Sequence, residues 1–176
     1  MPKRIHKIQG ISLGTASSNT RYGRKEDSLL VTLPQESILS GKFTSNKLKA
    51  APVKLAIENL SNSKKAKKVL LINAGNANAA TGPKGLKDVR KYCKEIALDF
   101  KISQENVIPF STGVIGEPLA TENYLSAFRE ASKGLSENKW KKAAEAILTT
   151  DTTVSYTHLR AHETLRYLVC RLLLEK

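Results

Sequence analysis

The segment with the most chemical content is Ser111-Thr112-Gly113-Val114-Ile115-Gly116, which directly follows the apolar run Val107-Ile108-Pro109-Phe110. Glycine admits close backbone approach and dihedrals that other residues avoid, so such a turn can aim successive N–H groups at one point. Donors aimed that way stabilise a developing oxyanion, and one such donor is worth about 3–4 kcal/mol. Taken alone, the hexamer is read more simply as a tight exit from a strand. A second stretch, Asn73 to Gly82, alternates Asn with Ala and Gly. Asn side chains satisfy backbone groups in turns, so a structural loop is expected there before a ligand site. A third, Ile147-Leu148-Thr149-Thr150-Asp151-Thr152, offers hydroxyls and a carboxylate at a helix end, suited to a polar substrate or to a turn. A fourth, Gly41-Lys42-Phe43-Thr44-Ser45-Asn46-Lys47 with Ala50-Ala51-Pro52-Val53, carries no chemical signal by itself.

Other chemistries leave no mark. The Gly-x-Ser-x-Gly elbow and the Walker loop are absent from the sequence. His158 and His162 are spaced by four, without the His-Glu-x-x-His arrangement of zinc proteases. His6 stands near the N-terminus, where a solvated side chain is expected. Cys93 and Cys170 lie far apart and give neither a disulfide framework nor a metal spacing, which points to a reducing compartment.

The elements that must position these segments alternate in type. Ser28 to Leu33 reads as a strand ended by Pro34, and Val69-Leu70-Leu71-Ile72 as a strand covered on both faces. Leu86, Val89, Cys93, Ala97 and Phe100 recur at helical spacing. Val107 to Phe110 is a second buried strand, weakened as a candidate by Pro109. Tyr124, Leu125, Phe128 and Leu135 predict another amphipathic helix, with Thr121 as its N-cap. A last helix is expected from Lys139 to Leu148, with Trp140, Ala143, Ala144 and Ile147 on one side. The fold class is α/β.

The chain of 176 residues suits one domain or a piece of a larger one, and its 40% hydrophobic and 26% charged content is ordinary globular usage. No apolar signal segment follows Met1, and the longest apolar stretch, Leu165 to Leu174, is interrupted by Arg166 and Arg171. A soluble protein without membrane contact is expected. The net charge of +13 raises the alternative of a small basic nucleic-acid-binding protein. The clusters Lys64-Lys65-Ala66-Lys67-Lys68 and Lys139, Lys141, Lys142 come without any nucleic-acid-binding motif, however. Solvated surface is the expectation for both, and no nucleic-acid partner is expected.

Beyond residue 152 the usage changes. The first 152 residues hold 20 lysines and 5 arginines, the last 24 hold 1 lysine and 3 arginines. Such a switch marks either a genuine basic tail or a foreign join. The run Val154 to Arg166 resembles translated sequencing-adapter read-through, so 1–152 is read as the protein proper and 153–176 as a foreign tail.

Together the four segments resemble the bifunctional ornithine acetyltransferase / glutamate N-acetyltransferase family of arginine biosynthesis. The resemblance runs from Gly10-Ile11-Ser12-Leu13-Gly14-Thr15-Ala16 to Thr152. It includes Phe43-Thr44-Ser45-Asn46, Ala50-Ala51-Pro52-Val53, Asn73-Ala74-Gly75-Asn76-Ala77-Asn78-Ala79, Ser111 to Gly116 and Ile147 to Thr152, in family order. It implies an α/β sandwich shared by two chains cut from one precursor, incomplete in this chain. It implies acetyl transfer from N-acetylornithine to glutamate, through an acetyl-threonine on the N-terminal Thr of the β chain. A free α-amino group beside its own hydroxyl can serve such a Thr as general base. No resident cofactor is implied, although some relatives use acetyl-CoA as acetyl donor. Thr112 and Gly113 match the family's oxyanion-hole pair. Thr149 and Thr150 match its substrate-binding region, without deciding which makes the contact. The self-cleavage segment, Lys-Gly-Ser-Gly followed by Met-Ala-Thr-Met, is missing, since Met1 is the sole methionine. The resemblance therefore covers an α-chain portion that carries oxyanion donors and no nucleophile. A β chain from the same precursor is its expected partner, in a hetero-oligomer.

Overall fold

The computed structural model describes residues 7–63 and 65–149. It contains β1 (Ser12–Ala16), β2 (Ser28–Leu33), α1 (Ala51–Asn62), β3 (Lys68–Asn76), α2 (Gly82–Phe100), β4 (Val107–Val114), α3 (Thr121–Lys133) and α4 (Trp140–Ala146). The strands form one sheet in the order β1-β2-β3-β4. β1 and β3 each run antiparallel to β2, whereas β3 and β4 are parallel and joined through α2. The expected α/β class is therefore observed. The expected boundary at residue 152 lies outside the described residues, as do Thr150, Cys170, His158, His162 and His6.

β3 explains its own sequence. Val69 and Leu71 point into one apolar cluster with α2 and α3, while Leu70 and Ile72 point into a second cluster on the opposite face. A strand buried on both sides has no polar face to show, hence the uninterrupted apolar run. The first cluster joins Leu30, Val107, Tyr92, Ile96, Tyr124 and Phe128. In the second, Leu29, Ile108 and Ala143 are buried, with Phe43, Phe110, Trp140 and Ile147 packed against them. The helical spacing in α2 and α3 thus marks the faces turned to the first cluster, and Ala143 of α4 faces the second.

Local signals account for the element ends. Pro52 and Pro83 lie in the first turns of α1 and α2, where a missing N–H costs nothing. α2 ends at Lys101 in the left-handed region (φ 54°), with its N–H bonded back to Leu98 and that of Ile102 to Ala97. Pro109 is accommodated because β4 is an edge strand. Asn59 of α1 donates to the carbonyls of Val107 (2.7 Å) and Gln104 (3.3 Å), pinning that helix to the start of β4.

Some expectations are corrected. β1 and α1 arise from stretches whose residues predict no element. β3 extends through Asn73-Ala74-Gly75-Asn76, so the expected loop begins later, and β4 runs on through Val114. Thr121 is not the N-cap of α3: Ala120 holds that position, and the Thr121 hydroxyl donates to Leu119 O at 3.3 Å. Lys68 is not solvated. It is 3% exposed, and its ammonium donates to Ser37 O and Ala66 O, both at 3.0 Å. A long aliphatic stem can lie within the sheet while its charged head reaches peptide carbonyls at the edge.

Burial raises the phenol of Tyr92 well above its ordinary value of 10.0 and raises that of Tyr124 as well. Above pH of about 10 the unfolded chain releases these protons while the folded chain retains them, so stability is full below that pH and falls as pH rises. Tyrosinate absorbance from Tyr92 and Tyr124 is expected to appear together with loss of near-ultraviolet circular dichroism. Complete ionisation of all five tyrosines with the native spectrum intact would contradict the burial.

Candidate functional site

β1, β3 and β4 end, and β2 begins, at one end of the sheet. The loop 17–27, the segment 77–81 after β3 and the segment 115–120 after β4 therefore converge there. Crevices outside the carboxyl ends of parallel strands are where α/β sheets place ligands. In register, Ala74 faces Thr112, Gly75 faces Gly113 and Asn76 faces Val114. Beyond the strands the two segments stay tied: Ala77 N–H donates to Val114 O (2.9 Å) and Gly116 N–H to Ala79 O (2.9 Å).

The glycine pair at this exit is a steric requirement. Gly75 has φ 103° and Gly113 φ 132°. A Cβ at 113 would lie 2.3 Å from the Gly75 carbonyl carbon and 2.6 Å from Asn76 N, both backbone atoms that cannot swing aside. Gly113 is exposed, and Thr112 is half-buried. The Thr112 hydroxyl has no hydrogen bond among the described residues.

Beneath this ledge lies a polar layer. Asn73, fully buried, donates from Nδ2 to Asn76 O (2.7 Å) and accepts from Ser111 Oγ (2.5 Å). Tyr124 of α3 donates its hydroxyl to Ala74 O at 3.0 Å. Asp27, 1% exposed, accepts from Ser18 N (2.7 Å), Ser18 Oγ (2.5 Å) and Ser28 Oγ (3.1 Å), and its carbonyl accepts from Ala74 N–H (2.8 Å). The donors to this buried carboxylate close the loop 17–27 on itself and on the start of β2, and the Ala74 N–H bond to the Asp27 carbonyl joins it to β3. Across the mouth, Arg21 of that loop pairs with Glu117 at 3.0 Å.

The stretch after β3 is also bound internally. Asn78 N–H donates to Asn76 Oδ1 (2.7 Å), and Asn76 Nδ2 donates to Glu117 O and Pro118 O (3.2 and 3.1 Å). Asn78 Nδ2 donates to Gly85 O (3.0 Å), linking this stretch to α2. These asparagines do the structural work expected of them. Sequence reasoning misses Tyr124, Asp27 and Ser18 as parts of the site and reads Asn73 only as the start of a structural loop. Most of their partners are distant in sequence, and polar residues beside or inside apolar runs are the available signal.

The predicted site residues separate as follows. Thr112 and Gly113 lie together on β4. Thr112 shares its sheet face with Ile72 and Phe110, the face on which α4 packs. Thr149 follows α4 and is half-buried, and its neighbour Leu148 offers its carbonyl to Lys25 Nζ (3.1 Å) in the loop 17–27. Thr149 is thereby tied to the same end of the sheet. Thr150 lies outside the described residues. Among the described residues no cluster of His, Cys, Asp and Glu is arranged to hold a metal, and no helix is long and apolar enough to cross a membrane.

The glycine contact sets up a stability comparison. Gly113→Ala is expected to cost about 2–6 kcal/mol, combining backbone strain with overpacking. Gly116→Ala, at φ 85° with nothing within 4 Å of its Cβ, is expected to cost only the strain, about 1–3 kcal/mol. Urea denaturation midpoints check the order, and equal losses would remove the close-approach argument.

Known proteins match this chain in sequence and in fold. The curated arginine biosynthesis bifunctional protein ArgJ of Methylococcus capsulatus is 43% identical over 149 residues, covering 85% of this chain and 36% of that protein. Its namesake from Pseudomonas fluorescens is 39% identical over 148 residues, covering 84% and 36%. The chain thus spans little more than a third of the length of these relatives. Among solved structures, the ornithine acetyltransferase of Mycobacterium tuberculosis, complexed with ornithine, superposes with a TM-score of 0.76 at 26% identity, covering 82% of this chain and 78% of that one. The arginine biosynthesis bifunctional protein of Bacillus halodurans gives 0.73 at 30% identity, covering 82% and 75%. The model of the ArgJ family matches residues 12–169, most of the sequence, and by that match this chain belongs to the ArgJ family.

Proposed function

We propose that this chain is the oxyanion-stabilising portion of an enzyme that moves an acetyl group from N-acetylornithine to glutamate in arginine biosynthesis, with acetyl-CoA as a further acetyl donor. The observation that carries the reading is the Thr112-Gly113 step, held in a fixed backbone conformation by Gly75 at the carboxyl end of the parallel strands. Donors held before the reaction begins need no reorganisation when charge develops, which is the basis of oxyanion stabilisation. Thr112 contributes its unengaged hydroxyl, and Gly113 its N–H. Thr149 or Thr150 contacts the substrate. The names of the solved and curated relatives, an ornithine acetyltransferase and bifunctional arginine-biosynthesis proteins, support the substrate class.

The reaction proceeds as two acyl transfers. A threonine hydroxyl from the downstream part of the protein, the β chain, attacks the acetyl carbonyl and passes its proton to its own α-amino group. The carbonyl oxygen takes the negative charge, and Thr112 and Gly113 hold it. Collapse breaks the amide C–N bond, the proton goes to the departing ornithine amine, and acetyl-threonine remains. The glutamate amine then attacks that ester through the same oxyanion arrangement. Collapse breaks the acetyl–threonine C–O bond, and the amine proton passes through the α-amino group to the threonine oxygen, releasing N-acetylglutamate and restoring the hydroxyl. This chain has no such threonine in a Met-Ala-Thr-Met context, so it is inactive alone and works as a cytoplasmic α–β assembly.

Transfer of labelled acetyl from N-acetylornithine to glutamate tests this. The complete gene product is expected to catalyse exchange, and the 176-residue chain is expected to show none. In the complete protein, Thr112→Val should lower kcat by about 10²–10³-fold while Thr112→Ser retains most activity. Exchange by the isolated chain, or its absence from the complete protein, would overturn the proposal.

A further inference from the structure

Building on the oxyanion role of Thr112 and Gly113, we propose that Asn73 is a positioning residue, whose side chain sets the distance between the β3 exit and the Thr112-Gly113 donors. Asn73 is the register partner of Ser111, the residue immediately before Thr112. Its amide is fully buried and uses both ends: Nδ2 to Asn76 O at 2.7 Å, Oδ1 from Ser111 Oγ at 2.5 Å. One planar group therefore spans from the far side of Gly75 to the near side of Thr112. Gly75 sits inside the loop closed by the first bond, and Gly113 rests against the backbone of Gly75 and Asn76.

This placement matters because neither glycine can fix its own backbone. A glycine at positive φ has several accessible wells, and no side chain to select one. The bond from Asn73 to Asn76 O selects the positive-φ conformation of Gly75 at the end of β3, and that backbone is the surface on which Gly113 lies. The second bond holds the chain entering Thr112. Tyr124, donating to Ala74 O from α3, fixes a further carbonyl of the same strand end. No other polar side chain among the described residues bonds to both strands at this exit. Asn73 touches no reacting atom, so its effect passes entirely through the donors.

The chemistry of the amide makes the role specific. Both a donor and an acceptor are needed, in one plane and without charge. Aspartate has the same shape but offers no donor to Asn76 O, and its buried charge would be left facing a carbonyl. Serine and alanine cannot bridge the span.

The test uses the complete gene product and compares Asn73→Asp, Asn73→Ala and Ser111→Ala with Thr112→Val. Asn73→Ala is expected to lower kcat by about 10²-fold, the effect of misplacing a catalytic group by about 1 Å, with KM for N-acetylornithine nearly unchanged. Binding of a methylphosphonamidate analogue of N-acetylornithine, which mimics the tetrahedral intermediate, should weaken in parallel with kcat. In the double variant with Thr112→Val the two losses should be strongly less than additive, because both act through one donor set. Ser111→Ala removes one hydroxyl only, and it is expected to show the same pattern in smaller degree if the Asn73 variants fail to fold. Full activity in Asn73→Ala and Ser111→Ala, or losses in KM and kcat alike without weaker binding of the analogue, would overturn the positioning role. A fully active Thr112→Val would instead overturn the oxyanion reading on which it rests, so the two failures are distinguishable.

Discussion

Where β3 and β4 leave the sheet, the carbonyl carbon of Gly75 occupies the space that the first side-chain carbon of any residue at 113 would need. Two backbones come this close only because neither carries a side chain there. The remainder of the structure holds this contact in register. α2 carries the chain from β3 back to the start of β4, and Asn59 of α1 anchors that start. α3 and the loop 17–27 engage the backbone of Ala74 from the other side, through Tyr124 and Asp27.

The energetics divide by depth. The two apolar clusters on either side of the sheet supply the driving force, since burial scales with area and β3 contributes to both. The polar layer beneath the strand exit contributes less net free energy. Its importance is that each of its groups has been removed from water and is satisfied only in one arrangement. The charge, by contrast, stays mostly outside. Arg90 pairs with Glu58 between α2 and α1, and Arg129 with Glu95 and Asp99 between α3 and α2. These are exposed pairs, screened by solvent, that align helices without holding the fold.

Much of this architecture can be read from the residues alone. The strand expected at Ser28 to Leu33 has the observed bounds, and the apolar spacing of α2 and α3 names residues of the first cluster correctly. The Ser111 to Gly116 hexamer reads from its own residues as a tight strand exit, and in the structure its first four residues continue β4 to that exit. β1 is hidden: Ser12-Leu13-Gly14-Thr15-Ala16 has weak alternation, and it is a strand because Leu13 can pair with Val31 and bond Ser136. α1 is hidden in the same way, its helix stabilised by packing against β4 and α2 more than by its own residues. Lys68 reads as surface charge because its neighbours are lysines, and only the packed sheet shows its stem to be interior.

The α/β class, the apolar faces of the main helices and the small-residue end of β4 are specified along the chain itself. They follow from periodicity and from steric rules that act within a few residues. Register, and with it the partner of Gly113, comes from long-range packing, since parallel pairing brings residues 38 positions apart side by side. The same holds for Asn73, Asp27 and Tyr124. A buried amide, carboxylate or phenol declares its role through the partners that satisfy it, and those partners are chosen by the fold, not by spacing along the chain.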